Sequence, residues 1–108
     1  MTLEKGIASL VEEFIAAGRP SSREQSIDDR RNGYLASAVL AGETETRVQV
    51  EDIALDGMTL RVVSPPKSNG LLPTIVYYHG GCFVSGGFAT HDNQLRQLAM
   101  FSGCRVIA

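Results

Sequence analysis

The sequence is poor in the residue types that form disulfide frameworks and large aromatic cores. Its 108 residues include two cysteines, two histidines and no tryptophan. Two cysteines are too few for a disulfide framework, and Cys82 and Cys104 lie on opposite sides of a predicted helix. We therefore expect both thiols to be reduced.

An excess of positive charge is also absent. Ten Lys and Arg residues face twelve Asp and Glu residues, which gives a formal net charge of −2. Arg30-Arg31 is the only adjacent basic pair, and Asp28-Asp29 directly precedes it. No basic patch that could follow a phosphate backbone is predicted, so nucleic acid is not an expected partner.

Long apolar runs are missing as well. Residues 1–6 have neither a basic start nor an uninterrupted apolar segment. No run approaches the ~20 apolar residues that a membrane-spanning helix needs. We expect no stable membrane insertion and, by default, a cytoplasmic location.

The histidines and cysteines raise the question of a zinc site, since four candidate ligands are available: His79, Cys82, His91 and Cys104. The last two would lie at opposite ends of one predicted helix, about 18–20 Å apart at 1.5 Å per residue. One ion cannot contact both, so no metal is expected.

The most informative segment that is present covers residues 74–89, where a strand-like apolar run ends in two glycines. Residues 74–78 have the character of a parallel strand buried on both faces, and Gly80 and Gly81 follow closely. Ligands of open α/β sheets bind just beyond the carboxyl ends of strands. Glycines there let several amide N–H groups converge on one point, where they can stabilise an oxyanion. A tight strand-to-helix turn is the simpler interpretation of an isolated glycine pair.

Residues 79–84, His-Gly-Gly-Cys-Phe-Val, resemble the His-Gly-Gly-Gly-type motif of the hormone-sensitive-lipase family of α/β-hydrolase esterases and lipases. In that family the motif follows the third strand and precedes a helix. The similarity continues through Ser85 and Gly86 and through residues 90–92, 96–99 and 102–107. Cys82 replaces the third glycine of the pattern, and it would be strained if its φ were positive.

The resemblance implies a serine carboxylesterase or lipase whose substrate is a small-molecule ester and which needs no metal or organic cofactor. Gly81 and Cys82 would donate their backbone N–H groups to the oxyanion, and Gly80 would shape the turn. His79 would support the loop rather than act as the base. Phe83 and Val84 would either line the substrate pocket or fill the core, and the residues alone do not decide between these two.

The serine nucleophile of such an enzyme is not found in this chain. No Gly-x-Ser-x-Gly elbow occurs, and the triad of this family would lie beyond Ala108. We therefore expect the amino-terminal part of a hydrolase that is inactive alone. Its partner would be the remainder of the hydrolase, as a covalent continuation or a second chain. Two alternatives stay open: a non-catalytic relative that binds a small apolar ligand, and a fragment whose helices bind another protein.

The predicted fold is α/β and consists of two regions. In residues 1–45, helical spacing of apolar residues predicts a helix over residues 2–17. A capping box formed by Ser21 and Glu24 predicts a second helix that ends near Gly42. Its stripe contains five residues: Ile27, Arg31, Tyr34, Leu35 and Ala38. The resemblance implies that the two helices form a cap over the active site.

Residues 46–108 are predicted to begin the hydrolase core. An antiparallel hairpin turns at Asp56-Gly57, with a bulge near Glu51 and Asp52. A parallel strand, a helix and a further strand follow, and Thr90 is expected to cap the helix. The family resemblance places the last strand between the second and third strands. The sheet is expected to be incomplete in this chain.

Overall fold

The computed structural model describes residues 2–67 and 69–108. It contains three α-helices, one 3₁₀ helix and four strands within those residues. The helices are α1 (Lys5–Ala16), α2 (Ile27–Ala36), the 3₁₀ helix (Ser37–Ala41) and α3 (Phe88–Ser102). The strands are β1 (Gln49–Leu55), β2 (Met58–Ser64), β3 (Thr74–Val76) and β4 (Arg105–Ile107).

The first two strands form the predicted hairpin. Asp56 and Gly57 both have positive φ, 49° and 80°, which is the geometry of a two-residue turn that matches the strand twist. The predicted bulge is wrong, because every residue of β1 pairs with one residue of β2. The apolar residues of β1 change from one face to the other for a different reason: Val50 packs against the core, whereas Ile53 and Leu55 are exposed apolar residues on the opposite face.

The four strands form one sheet in the order β1-β2-β4-β3. β4 is antiparallel to β2 and parallel to β3, with Val106 opposite both Val63 and Ile75. The predicted position of the last strand, between the second and third, is therefore confirmed. The prediction that β3 is covered on both faces concerns the complete sheet, and among the described residues Val76 on one face remains 60% exposed. Only the face that carries Ile75 packs against the core.

The core lies between α3 and one face of the sheet. Its buried members are Val48, Val63, Leu95, Ala99 and Val106. α3 ends at Gly103, which adopts the left-handed conformation at φ 69° that glycine takes without strain.

Charged and amide side chains attach α3 to its neighbours. Arg61 on β2 contacts Asp52 and Asp92, with N–O distances of 2.8 Å to each. The hydrogen bonds from Arg61 lower the pKa of Asp52. The two carboxylates in turn raise the pKa of Arg61. The side chain of Asn93 donates to the carbonyls of Ala41 and Glu43, so α3 also holds the segment between the two predicted regions.

The amino-terminal helices differ from the prediction in their boundaries. α1 begins after Glu4, whose carboxylate accepts hydrogen bonds from the first turn. Ser21 and Glu24 do interact, but they close a turn and do not begin a helix. α2 instead starts after Ser26, whose side chain accepts from the Asp29 N–H at 3.1 Å. Two acidic residues in the first turn of α2 further favour this start, because they complement the positive end of the helix.

α1 packs against no other element of the described chain. Its apolar stripe is consequently accessible, and Phe14 and Ile15 are 68% and 70% exposed. None of the helices in residues 2–67 and 69–108 combines the length and the apolar character needed to cross a bilayer.

Candidate active site

The loop between β3 and α3 lies at the carboxyl end of β3. Tyr77 extends the pairing by one bond, because its N–H donates to the carbonyl of Ile107 at 2.8 Å. The chain then leaves the sheet and reaches α3 at Phe88. This is the edge at which the sequence predicts a ligand site.

Gly81 stands where the loop turns back on itself. Its φ is 140°, and a Cβ atom added there would lie 1.8 Å from the carbonyl oxygen of Ser85. The carbonyl of Gly81 accepts the N–H groups of Val84 and Ser85 at 3.1 and 3.0 Å. The Ser85 hydroxyl donates to the same oxygen at 3.0 Å. No side chain larger than hydrogen fits at Gly81 without a shift of the Ser85 backbone.

The two residues after Gly81 adopt a backbone conformation that side chains disfavour. Cys82 and Phe83 have φ values of 54° and 60°. The strain expected for Cys82 in that case is therefore present, and each residue costs on the order of 1–3 kcal/mol. Strain of this kind is concentrated at functional sites, where the surrounding structure maintains it.

Six successive N–H groups, those of residues 78–83, have no acceptor among the described residues. The amides of Gly80, Gly81 and Cys82 donate to no carbonyl and to no side chain of the described chain. Gly80 is also sterically open, since an added Cβ would meet no atom within 4 Å. A backbone with unengaged donors can offer them to an anionic or carbonyl oxygen.

His79 lies inside the loop. Its Nδ1 is 2.8 Å from the carbonyl oxygen of Gly80. Gly86 passes close to it: a Cβ added to Gly86 would lie 2.7 Å from Nδ1 and 2.5 Å from the Gly80 oxygen. This position suits the supporting role predicted for His79, and that role stays a prediction. The family resemblance included Gly86 without a reason, and the folded loop supplies one, because the Gly80 oxygen and the His79 ring leave no room for a Cβ.

His91 is the buried polar residue behind the loop, with 7% of its surface exposed. Its Nε2 is 3.0 Å from the hydroxyl of Tyr34 on α2, and its Nδ1 is 2.8 Å from the hydroxyl of Thr90. The single Thr90 O–H donates to Gly87. Nδ1 of His91 therefore donates to Thr90, and Nε2 accepts from Tyr34. His91 thus joins α3 to α2 through its ring.

Thr90 was predicted to cap α3, but the helix begins one turn earlier. Gly87 is the N-cap residue, and Thr90 lies in the third helical position. The Thr90 hydroxyl accepts the Gly87 N–H at 2.9 Å. Thr90 therefore closes the first turn from inside the helix.

α2 and the loop enclose a groove of about 580 Å³. Apolar groups line part of it, including Leu35 of α2 together with Phe83 and Val84. The Phe83 ring is fully exposed, so it does not fill the core of the described chain. Arg31 also lines the groove, and its Nε donates to the Val84 carbonyl at 2.6 Å. Sequence reasoning assigned no role to Arg31 or Tyr34, although both lie on the predicted stripe of α2.

The described residues contain no group of three or more His, Cys, Asp or Glu side chains that could hold a metal ion. Cys82 and Cys104 are both free thiols.

Elsewhere, hydrogen bonds from Arg47 lower the pKa of Glu45 to about 2.

A parallel β3-α3-β4 unit, a hairpin beside it and a glycine loop at the end of β3 define the class of α/β hydrolases. Residues 75–108 match the family described as alpha/beta hydrolase fold. The chain is 32% identical over 120 residues to an ethyl acetate hydrolase of Pseudomonas putida, a match that covers 100% of this chain and 38% of that protein. It is 37% identical over 67 residues to a carboxylesterase of Mycobacterium tuberculosis, which covers 59% of this chain and 21% of that protein.

A comparison with a solved structure also finds an esterase. A thermostable esterase from Pseudomonas putida superposes with a TM-score of 0.82 at 26% identity, over 97% of this chain and 34% of that one. The chain therefore has the amino-terminal elements of the α/β-hydrolase fold, and it is similar over that part to esterases of this fold. It spans well under half the length of the relatives it matches, 21% and 38% of the two proteins above.

Proposed function

We propose that this chain supplies the oxyanion-binding loop and the cap helices of a serine carboxylesterase that hydrolyses small-molecule esters. The observation that carries the proposal is the row of unengaged N–H groups at Gly80, Gly81 and Cys82, at the carboxyl end of β3. The serine nucleophile and its His and Asp or Glu partners are expected from the remainder of the hydrolase. That remainder joins this chain as a covalent continuation or as a second polypeptide.

The chemistry assigns a separate task to each part. A serine oxygen attacks the ester carbonyl carbon while a histidine takes the serine proton and passes it to the leaving alcohol. The carbonyl oxygen becomes an oxyanion, which the N–H groups of Gly81 and Cys82 bind more strongly than the ground-state carbonyl. Each such donor lowers the barrier by about 3–4 kcal/mol. Water then hydrolyses the acyl-enzyme.

The groove beside the loop is proposed as the substrate site, with Phe83 and Val84 in contact with the ester. Residues 1–45 would form the cap region and residues 46–108 the core. Leu35 of the cap region lines the groove. Two relatives are named for short acyl groups, an ethyl acetate hydrolase and an acetyl esterase. We propose short acyl esters on that basis. Membership of the hormone-sensitive-lipase family and a cytoplasmic location stay predictions.

A chimaera tests the proposed function. Residues 1–108 replace the aligned segment of the Pseudomonas putida ethyl acetate hydrolase, which matches the whole chain. We expect the chimaera to hydrolyse p-nitrophenyl acetate, because it unites the loop with a nucleophile. The 108-residue chain alone is expected to remain at the buffer rate. Initial rates at equal protein concentration measure both.

The control is the same chimaera with its nucleophilic serine replaced by alanine, which is expected to be inactive. Serine-dependent turnover by the 108-residue chain alone would contradict the proposal. A folded chimaera that binds the ester without hydrolysing it would favour the non-catalytic binding protein instead.

A further inference from the structure

We infer that Arg31 of α2 is a positioning residue for the oxyanion loop. This inference rests on the proposed function, and it adds a residue from the helical region to the machinery of the loop. Its proposed role involves no contact with the reacting ester oxygen or with the N–H groups that bind this oxygen. It acts through two peptide units of the loop.

The contact of Arg31 is short and specific. Its Nε donates to the carbonyl oxygen of Val84 at 2.6 Å, across a sequence separation of 53 residues. A hydrogen bond from a charged guanidinium is stronger than a neutral one. The other charged neighbour is weaker: Nη1 lies 3.8 Å from Asp28, and both side chains are largely exposed. Exposed pairs of this kind contribute little, so the carbonyl of Val84 is the main partner of Arg31.

The Val84 carbonyl belongs to the same rigid peptide plane as the Ser85 N–H. That N–H donates to the Gly81 carbonyl at 3.0 Å, so Arg31 holds one end of the plane and Gly81 the other. The Gly81 carbonyl in turn shares its plane with the Cys82 N–H. Fixing the carbonyl therefore fixes the direction in which the Cys82 N–H points, which is the direction proposed for the oxyanion.

α2 is itself attached to the core, so it can hold the loop. Tyr34, one turn after Arg31, forms a 3.0 Å hydrogen bond with the buried His91 of α3. The two rings also make an edge contact with centroids 5.5 Å apart. Arg31 and Tyr34 together join α2 to both ends of the segment that runs from the loop into α3.

The test compares three variants of the chimaera. Arg31→Met removes the donor and keeps the length of the side chain, whereas Arg31→Lys retains a charged donor. Arg30→Met is the matched control, because the Arg30 side chain makes no hydrogen bond or ion pair within the described chain. We expect Arg31→Met to lower kcat for p-nitrophenyl acetate about tenfold with KM almost unchanged. Arg31→Lys should recover part of the loss, and Arg30→Met should behave as the parent.

Two further measurements separate positioning from other roles. Amide hydrogen exchange of Val84 and Ser85, whose N–H groups donate to the Gly81 carbonyl, is expected to accelerate in Arg31→Met and not in Arg30→Met. In a Gly81→Ala background, Arg31→Met should cost much less than tenfold, because the loop it positions is already displaced.

The outcomes distinguish this inference from the proposed function. Unchanged amide hydrogen exchange of the loop in Arg31→Met would overturn the inference about Arg31. An equal loss of kcat in Arg30→Met would also overturn it. A rise in KM at constant kcat would also overturn it, since Arg31 would then contact the substrate. If the parent chimaera were inactive, the proposed function would fail, whereas loop exchange would still decide whether Arg31 positions the loop.

Discussion

Gly81→Ala is expected to lower the kcat of the chimaera by about 100- to 1,000-fold, the usual cost of losing an oxyanion donor. The added Cβ would lie 1.8 Å from the carbonyl oxygen of Ser85, and no side-chain rotation can separate a Cβ from a backbone atom. The φ of 140° is also disfavoured for any residue with a side chain. The loop must therefore rearrange, and its N–H groups turn away from the oxyanion. Saturation kinetics with p-nitrophenyl acetate give kcat and KM separately.

Two other glycines serve as comparisons for Gly81→Ala. Gly33→Ala on α2 meets no atom within 4 Å and is expected to leave kcat unchanged. It should raise stability slightly, because alanine favours the helix by up to about 1 kcal/mol. Gly80→Ala keeps its N–H and also meets no atom, so it should cost less than about tenfold. If Gly81→Ala kept full kcat in a folded chimaera, the oxyanion donors would lie elsewhere.

Leu95→Ala is expected to lower the free energy of unfolding by about 2–5 kcal/mol. Leu95 is 1% exposed and lies in the core between α3 and the sheet, against Val63 and Val106. Alanine removes apolar contacts on both sides and leaves a cavity that a rigid sheet cannot close. Urea unfolding of the chimaera, followed by circular dichroism, measures the change.

Leu71→Ala is the matched control for Leu95→Ala, since Leu71 is fully exposed. The same chemical change there should alter the free energy of unfolding by less than about 0.5 kcal/mol. Equal effects of the two substitutions would mean that the packing between α3 and the sheet does not stabilise the protein.

The features that could be predicted from the sequence are those with a local cause. The turn at Asp56-Gly57 follows from two residues that accept positive φ. The loop after β3 follows from a strand-like run that ends in glycines, and its outline needed no knowledge of distant residues. The position of β4 came from the family resemblance and is confirmed by its pairing with β2 and β3.

The wrong predictions concern segments in which two local structures are compatible with the same residues. Ser21 and Glu24 satisfy each other within a turn, and their hydrogen bonds are those of a capping box without a helix behind it. Ser26 offers a second start, and acidic residues in the following turn favour it. The bulge was wrong for a related reason, because an apolar residue on an uncovered sheet face looks like a change of phase.

The contacts that complete the candidate site form only in the folded chain, and no local pattern predicts what each residue meets. Arg31 bonds a carbonyl 53 residues away, and a backbone carbonyl has no sequence signature. Gly86 is required by His79 and the Gly80 oxygen, which pass close to it only in the folded loop. The stripe of α2 did place Arg31 beside Leu35, although the stripe alone could not say what it faces.

The sheet order has a consequence for the time course of synthesis. β3 pairs with β4 and with no other strand of the described chain, yet α3 and its flanking loops separate the two in sequence. At about 5–20 residues per second, β4 is made on the order of seconds after β3, whereas a hairpin such as β1-β2 closes in about 1–10 μs. The nascent chain therefore carries a finished hairpin and an unpaired β3 for most of that interval. That interval ends when β4 enters between β2 and β3.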